Sequence, residues 1–383
     1  METLRGITWD HPRGYQPLRA IAARWQTIGN AEVKWYIRSL KEFGDCPIET
    51  LINTNDLIIL DHPYVGNAAS GKLLLPLERY LSPAFLDIQR QESIGEAFES
   101  YWYDNHCWAL PIDAAAQVTA YRKDLTDAIG WKLPEETLRL NEAAMELPAK
   151  YKVGIPLCPT DAWCVFLTLC AQYSNGQVFT ESGVGTEAGE WAIGQIRQWR
   201  TFLHPFSYDM NPVEMLEFMS REDEILYVPF IFGYTNYARK GWGKKLIHFG
   251  NVPRYDVKGI SSLMGGAGLA ISAKSAHIKE CVDFIQFILS VDVQKGLYYN
   301  NGGQPAHLSA WMDEENNRDC SGFFSDTLDT MKQAFVRPRH AGFNSFQEKA
   351  ASLIHECLRD HSPGKQAIDK LNNLYQSICH ETI

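Results

Sequence analysis

In the first sixty residues, apolar side chains alternate between strand-like and helix-like spacing. This alternation is the sequence feature that most limits which folds the chain can adopt. Residues 4–9 and 33–37 have short β-like patterns, and residues 15–28 between them carry apolar side chains at helical spacing. Residues 56–60, Asp-Leu-Ile-Ile-Leu, form a third strand pattern whose apolar run is typical of a parallel sheet buried on both faces. The strand–helix–strand order predicts an α/β layer fold.

Similar patterns continue along the chain and indicate a second unit of the same kind. Further strand patterns lie at residues 115–121, 224–232 and 261–272, and helical patterns at 134–150, 162–173, 187–203, 278–290 (extended over 291–299) and from 325 onward. With 383 residues, the chain exceeds the ~250–300 at which one hydrophobic core stops growing. We therefore expect two α/β lobes joined by crossover segments.

Composition excludes several classes of partner. The formal net charge is −10 and no basic stripe is present to neutralise phosphates, so we expect no nucleic-acid partner. No apolar run approaches the ~18 residues needed to span a bilayer. Nine scattered cysteines without a Cys-x-x-Cys pair favour a reducing compartment over a disulfide framework. Residues 1–5 show no pattern of a secretion leader, which also makes a cytoplasmic location one expectation.

The sharpest local feature is a repeated tripeptide, Asp-His-Pro, at residues 10–12 and 61–63. Each copy follows a predicted strand, and in a doubly wound sheet the first and third strands are neighbours with their carboxyl ends at the ligand crevice. Each proline suits the first turn of a following helix. Asp10 and Asp61 then either line a ligand site or only cap those helices.

The same motif also suggests a metal, because imidazole and carboxylate groups are common zinc ligands. The proline after His11 and after His62 restricts the backbone, and no third or fourth ligand is evident. We predict no metal and no cofactor.

Aromatic and acidic side chains at breaks between elements are further candidates for ligand contact. Trp9 ends a strand, Trp163 begins a helix and Tyr234 follows a glycine, where flat ring faces can stack on a sugar or a planar cation. Most such rings nevertheless belong to cores. Asp113 lies where the first unit passes into the second, either as a ligand contact or as a solvated linker charge.

Signatures of catalysis are missing from the sequence. The glycines of residues 265–268 lack the Gly-x-Gly-x-x-Gly spacing and precede a strand instead of a helix. Neither a Gly-x-Ser-x-Gly nor a Walker motif is present. We predict no catalytic residues and a protein that is not an enzyme.

A series of short motifs carries a family resemblance over nearly the whole chain. They are Ile7-Thr-Trp9, DLIILDHPYVGNAASGKLLLPL (56–77), ALPID (109–113), YRKDL (121–125), FIFGY (230–234), GGAGLAI (265–271) and Gly303-Gln-Pro305. In combination they resemble the family 1 extracellular solute-binding proteins, the maltose-binding-protein-like group that serves carbohydrate ABC importers.

The resemblance implies an α/β type II periplasmic-binding fold, in which two lobes are joined by crossover strands with a cleft between them. Lobe one would comprise residues 1–110 plus 263–307, and lobe two residues 112–261 plus 308–383. The residues that match the family's ligand-binding positions are Trp9, Asp10, His11, Asp61, His62, Asp113, Trp163, Tyr234, Gly265 and Gly266. Residues 337–343 would add a rim contact.

The function that the resemblance implies is capture of a small polar ligand, a carbohydrate or derivative, by a monomer that closes on a hinge and delivers it to ABC importer permease subunits. Such proteins are periplasmic or extracellular. Three acidic candidates without an evident Lys/Arg set favour a neutral sugar, followed by an amino-bearing or quaternary cation.

Two other functions stay open from the sequence. One is a leaderless cytosolic ligand sensor or carrier. The other is an enzyme on the same scaffold, similar to thiaminase-like transferases, with Cys164 as nucleophile and Cys107 and Cys158 as less favoured candidates. A buried structural thiol is the commoner role of such a cysteine.

Overall fold

A computed structural model of the chain describes residues 2–29, 31–45, 47–256, 258–360 and 362–379. The chain forms two compact units. Unit one comprises Met1–Ala115, Gly265–Arg318 and Val336–Asn344, and unit two comprises Ala116–Met264, Asp319–Phe335 and Ser345–Ile383.

In the described ranges the strands are β1 (Glu2–Trp9), β2 (Ala31–Arg38), β3 (Leu57–Leu60), β4 (Trp102–Tyr103), β5 (His106–Cys107), β6 (Leu110–Tyr121), β7 (Lys152–Val153), β8 (Phe179–Thr180), β9 (Gly183–Val184), β10 (Ile225–Phe232), β11 (His248–Gly250) and β12 (Met264–Ile271).

The α-helices in the same ranges are α1 (Pro12–Ile28), α2 (Leu40–Asp45), α3 (Val65–Gly71), α4 (Pro83–Gln91), α5 (Lys123–Ile129), α6 (Leu140–Met145), α7 (Pro159–Tyr173), α8 (Thr186–Trp199), α9 (Pro212–Arg221), α10 (Ile278–Ile288), α11 (Leu308–Trp311), α12 (Glu314–Asp319), α13 (Phe323–Lys332), α14 (Phe343–Asp360) and α15 (Gly364–Cys379). Short 3₁₀ turns include His62–Tyr64, Thr137–Arg139 and Thr235–Ala238, and Val293–Tyr298 is a π-helix.

The sheet of unit one has the order β2-β1-β3-β12. Strand β1 pairs in parallel with both β2 and β3, and β12 closes this part of the sheet as an antiparallel neighbour of β3. The predicted adjacency of the first and third strands is therefore confirmed.

Strand β3 is buried on both faces, which explains its unbroken apolar sequence. Leu57 and Ile59 pack into one core cluster with helices α1 and α10, whereas Ile58 and Leu60 point into a second cluster with α3. Side chains along a strand alternate between faces, so an apolar residue is needed at each position.

The strands of unit two have mixed directions. The second half of β6 pairs with antiparallel β10 and β11, and β10 pairs in parallel with β7. Helices α7 and α8 pack beside these strands, where Trp199 of α8 stacks on Phe230 of β10 at 5.9 Å. Both units therefore combine a sheet with helices, as the alternating patterns predicted.

Two predicted helices differ from the observed elements. The pattern over 134–150 is α-helical only at Leu140–Met145. Glu135 and Thr137 hydrogen-bond to the backbone of Arg254 instead, and Pro148 prevents continuation at the other end. The pattern over 291–299 is a π-helix separate from α10, in which the Gln294 side chain donates to the carbonyl oxygen of Ile288.

Residues 336–344, which we call the return segment, belong to unit one although their neighbours along the chain belong to unit two. The segment lies directly against helix α3. A side chain at Gly66 would place its Cβ 1.7 Å from the carbonyl oxygen of Arg339, and the backbone N–H of Gly342 donates to Asn67. Only glycine at position 66 permits this approach.

We expect Gly66→Ala to lower the free energy of unfolding by about 1–3 kcal/mol, because the added methyl group must displace backbone. Chemical denaturation measures this change. Gly194→Ala is the matched control, since nothing lies within 4 Å of a Cβ at that helical position and alanine is favoured there by up to ~1 kcal/mol. Equal effects of the two substitutions would contradict the packing of the return segment on α3.

Candidate functional site

The two Asp-His-Pro motifs lie at the carboxyl ends of adjacent parallel strands. Strand β1 ends at Trp9 and β3 ends at Leu60, and the register pairs Gly6 with Leu57 and Ile7 with Ile58. Loops that come after adjacent parallel strands meet at one edge of the sheet, which is where α/β proteins of this kind bind ligands. We call this edge the carboxyl edge of unit one.

In the first motif the histidine, and not the aspartate, caps the following helix. His11 is the N-cap of α1, and its Nδ1 accepts a hydrogen bond from the backbone N–H of Arg13 at 3.0 Å. Capping by Asp10 was therefore wrong, and Asp10 is exposed. Burial, helped by the positive charge of Arg13, lowers the pKa of His11 to about 3, so the imidazole is neutral at pH 7.

Trp9, the residue before this motif, packs in the interior of unit one. Its ring lies 5.0 Å from the ring of Phe43, and a Cβ at Gly14 would approach it to 2.5 Å. The indole therefore supports the first turn of α1.

In the second motif Asp61 caps a 3₁₀ turn and also binds the side chains of His62 and Arg337. One carboxylate oxygen accepts from the backbone N–H of His62 at 2.8 Å and lies 3.0 Å from His62 Nδ1. The other oxygen accepts from the guanidinium of Arg337 in the return segment. Asp61 side-chain exposure is 17%, so part of the carboxylate remains accessible.

The charges around Asp61 keep it ionised. Burial alone would raise the pKa of the Asp61 carboxyl, but the positive charge of Arg337 and the contact with His62 hold that pKa well below its usual range. Burial also lowers the pKa of His62 to about 4, against the pull of Asp61. At neutral pH this group consists of one carboxylate, one guanidinium and one neutral imidazole.

Asp113 forms a buried ion pair with Arg13 of helix α1. The guanidinium donates through Nε at 2.8 Å and through Nη2 at 2.5 Å, one bond to each carboxylate oxygen. Both side chains are almost fully buried. Burial raises the pKa of the Asp113 carboxyl although Arg13 opposes the shift. The interpretation of Asp113 as a solvated linker charge was therefore wrong.

The two candidate glycines lie beside this ion pair, at the start of β12. Gly266 adopts φ +118°, and a Cβ there would come within 2.5 Å of the carbonyl oxygen of Asp113. Gly265 precedes it in the same strand. The structure gives Gly266 a backbone role, which is to let β12 approach the strand that carries Asp113.

The remaining two candidates lie in unit two. Trp163 of α7 is 1% exposed and is stacked on Phe166 at 5.5 Å, with Phe346 edge-on at 5.7 Å. Tyr234 is buried at the turn after β10. Contact between a ligand and the Trp163 ring would require Phe166 or Phe346 to move. The role of Trp163 and Tyr234 in ligand binding stays a prediction.

The candidate nucleophilic thiols lack the environment that activates cysteine. Cys164 is 2% exposed within α7. Burial raises the pKa of the Cys107 and Cys158 thiols, and Asp161, which accepts from Cys158 Sγ at 3.0 Å, raises the second further. A nucleophilic cysteine needs the opposite shift.

The described ranges contain neither a metal site nor a membrane span. There, no group of three or more His, Cys, Asp and Glu side chains is placed to hold a metal ion. None of the described helices combines the length and the apolar character that a membrane crossing requires.

Two arginines of the site were not identified from the sequence. Arg13 directly follows the first Asp-His-Pro motif, but its partner is 100 residues away. Arg337 fell only within the expected rim contact, and its partner is 276 residues away. Neither pairing has a local pattern that would reveal it.

We expect Asp113→Asn to cost about 3–5 kcal/mol of stability, because the buried Arg13 charge loses its compensating carboxylate. Urea denaturation at pH 7 measures the loss. Asp283→Asn, which breaks an exposed i,i+4 pair with Lys279, is the control and should have little effect. A small loss for Asp113→Asn would show that the pair is not buried in solution.

A buried acid in unit two makes stability depend on pH. Burial, with a smaller contribution from Glu214, raises the pKa of Asp161 to about 7, above the ~4 of an unfolded aspartate. The folded state then binds more protons, so stability should fall as pH rises from about 4 to 7, by up to ~1.4 kcal/mol per pH unit. We expect Asp161→Asn to lack this component in denaturation curves recorded across that range. An unchanged pH slope would refute the assignment.

Comparison with solved structures places the fold. A solute-binding protein of Agrobacterium radiobacter K84 in complex with ribitol shares 17% identity, with a TM-score of 0.82 over 97% of both chains. Maltose-bound MalE3 of T. maritima shares 16% identity, with a TM-score of 0.82 over 97% of this chain and 98% of that one. A solute-binding protein of Thermotoga lettingae TMO bound with α-D-tagatose shares 15%, with a TM-score of 0.83 over 99% and 100%.

At these identities the likeness establishes the fold, which is the α/β type II periplasmic-binding fold indicated by the sequence motifs. The model of one family, described as bacterial extracellular solute-binding protein, matches residues 51–295, well over half of the chain. This family is one of substrate-binding proteins, which are not enzymes. The chain therefore belongs to the bacterial extracellular solute-binding proteins.

Proposed function

We propose that the protein captures an uncharged carbohydrate or polyol at the carboxyl edge of unit one and delivers it to an ABC importer. Membership of the solute-binding family supports capture of a small molecule. Ribitol, maltose and tagatose, the compounds bound by three proteins of similar fold, are all neutral polyhydroxy compounds.

The observation that carries the choice of a neutral ligand is the internal pairing of the candidate carboxylates. Asp61 holds Arg337 and Asp113 holds Arg13, so each negative charge already faces a positive one. The expectation from sequence that no arginine set accompanies the acids was wrong, because both arginines come from distant parts of the fold.

The two histidines of the motifs add no charge to this edge. His11 and His62 are neutral at pH 7, since burial lowers the pKa of each below 5. Of the candidate groups, only Asp10 is left as an exposed carboxylate. Apart from Asp10, this edge offers hydrogen-bond acceptors and donors to hydroxyl groups without a net counter-charge that would favour an ion. We therefore favour a sugar over a quaternary ammonium compound as the ligand.

The partners and location of the protein belong to the same proposal. As a component of an importer it would be a monomer outside the cytoplasmic membrane that binds permease subunits. A cytosolic carrier or sensor is the second candidate, favoured by the eight cysteines of the described ranges, which form no disulfide with one another. Fractionation of the native cells separates the two locations.

We expect a panel of neutral sugars and polyols that includes ribitol, maltose and tagatose to contain at least one compound that raises the melting temperature. A ligand at 100 times its Kd stabilises the folded state by about 2.7 kcal/mol. Choline and other quaternary ammonium compounds should leave the melting temperature unchanged. Stabilisation by choline alone would overturn the choice of ligand class.

With the compound identified in that panel, calorimetry of Asp61→Ala should show a 10- to 100-fold weaker affinity, because a hydrogen bond to a charged group contributes about 1.5–3 kcal/mol. Asp369→Ala, an exposed aspartate of helix α15, is the control and should bind as the wild type does. Unchanged affinity in Asp61→Ala would place the ligand elsewhere.

A further inference from the structure

We propose that Arg337 is a specificity-determining residue: by neutralising Asp61 it admits hydroxyl groups and rejects ammonium groups at this position. The inference rests on the proposed function and assigns a role to a residue outside both Asp-His-Pro motifs. Its basis is the geometry of the return segment and of the Asp61 carboxylate.

Contacts of the return segment with helix α3 and with residues 99–102 keep Arg337 in place. The Arg339 guanidinium donates to the carbonyl oxygens of Trp102, at 3.1 Å, and of Glu99, while Gly342 donates to Asn67. Arg337 itself is only 6% exposed. Its charge is therefore a fixed part of the carboxyl edge, and not a mobile surface charge that a ligand can push aside.

The hydrogen-bond capacity of Asp61 leaves room for one more donor. A carboxylate has about four lone-pair positions, of which two on one oxygen face the backbone N–H and Nδ1 of His62. On the other oxygen one position faces Arg337. The remaining position, on a carboxylate that is 17% exposed, accepts a single ligand donor.

The charge at that remaining position selects the kind of donor. A hydroxyl group needs only an acceptor, which the carboxylate supplies. An ammonium group would be attracted by a carboxylate that had no positively charged partner. Asp61 is paired with Arg337, so an ammonium group bound there would be repelled by the nearby guanidinium. The side chains that interact with Asp61 besides Arg337 are the neutral His62 and the un-ionised Tyr101, and neither of them adds a negative charge that would offset this repulsion.

Arg337→Gln tests this role. Isothermal titration calorimetry at pH 7 compares ribitol, maltose and tagatose with the amino-deoxy analogue of each, in which one hydroxyl is replaced by an ammonium group. In the variant we expect the affinity ratio of amino analogue to parent to rise at least 10-fold over wild type. Arg337→Lys, which keeps the positive charge, should retain the wild-type ratio, as should Arg359→Gln, an exposed arginine of unit two. An unchanged ratio in Arg337→Gln overturns the proposal.

A second variant covers the case in which Arg337→Gln does not fold. Asp61→Asn leaves the Arg337 charge in excess, so the ratio should fall at least 10-fold and uronic-acid analogues should gain affinity relative to their parents. The double variant Asp61→Asn with Arg337→Gln restores neutrality and should return to the wild-type ratio. An affinity ratio of amino analogue to parent that is the same in the wild type and in both of these variants also overturns the proposal.

The pH profile separates charge selection from a purely structural role. Without Arg337 the pKa of Asp61 should return towards its ordinary range, so binding of amino analogues to Arg337→Gln should weaken as pH falls through about 4. In the wild type Arg337 and Arg339 both lower the pKa of His62. Because Arg337→Gln removes one of these two positive charges, His62 should titrate at a higher pH in the variant. In the wild type Asp61 stays ionised through this range, so only the protonation of His62 near pH 4 contributes there. A loss of binding in the variant that is no larger than that of the wild type contradicts the mechanism.

Failure of this inference is distinguishable from failure of the proposed function. Wild-type binding of a neutral parent compound supports the function whatever the variants do. A wild type that binds choline and none of the neutral compounds overturns the function itself. A wild type that binds the neutral parents, with variants that keep its amino-to-parent ratio, overturns only the role of Arg337.

Discussion

The parallel pairing of β1 with β3 is the constraint on which the candidate site depends. Because both faces of β3 are covered by core clusters, the strand lies inside the sheet between β1 and β12, and its parallel register with β1 pairs Gly6 with Leu57 and Ile7 with Ile58. The register therefore holds the carboxyl ends of the two strands at one edge, and both Asp-His-Pro motifs with them. The order of elements therefore brings the two copies of the tripeptide to one edge of the sheet.

The two copies perform different tasks despite their identical sequence. In the first, His11 caps a long helix and Asp10 is exposed; in the second, Asp61 caps a short turn and holds His62 and Arg337. The difference arises from the neighbouring elements of the fold, because the first copy opens helix α1, whereas the second meets the return segment. A tripeptide specifies which groups are present and leaves their partners to the rest of the fold.

Charge at this edge is balanced by residues that are remote in sequence. Arginine suits this task because its planar guanidinium binds both oxygens of a carboxylate and stays charged when buried, as Arg13 does with Asp113. Counting acids in the sequence overstates the negative charge that a ligand meets. The aromatic candidates show the same limit, since Trp163 has the sequence context of a helix start but its ring is enclosed by Phe166 and Phe346.

The sequence by itself determined the α/β class, most of the strands and helices, and the family, because these depend on local apolar periodicity and on short motifs that keep their order. It also located the two motifs and the glycine pair at Gly265 and Gly266. Only the tertiary structure decided that residues 135–137 leave the predicted helix, that His11 replaces Asp10 as a cap, and that Arg13 and Arg337 neutralise Asp113 and Asp61. These outcomes depend on contacts between residues far apart along the chain, whose energies no local window of sequence contains.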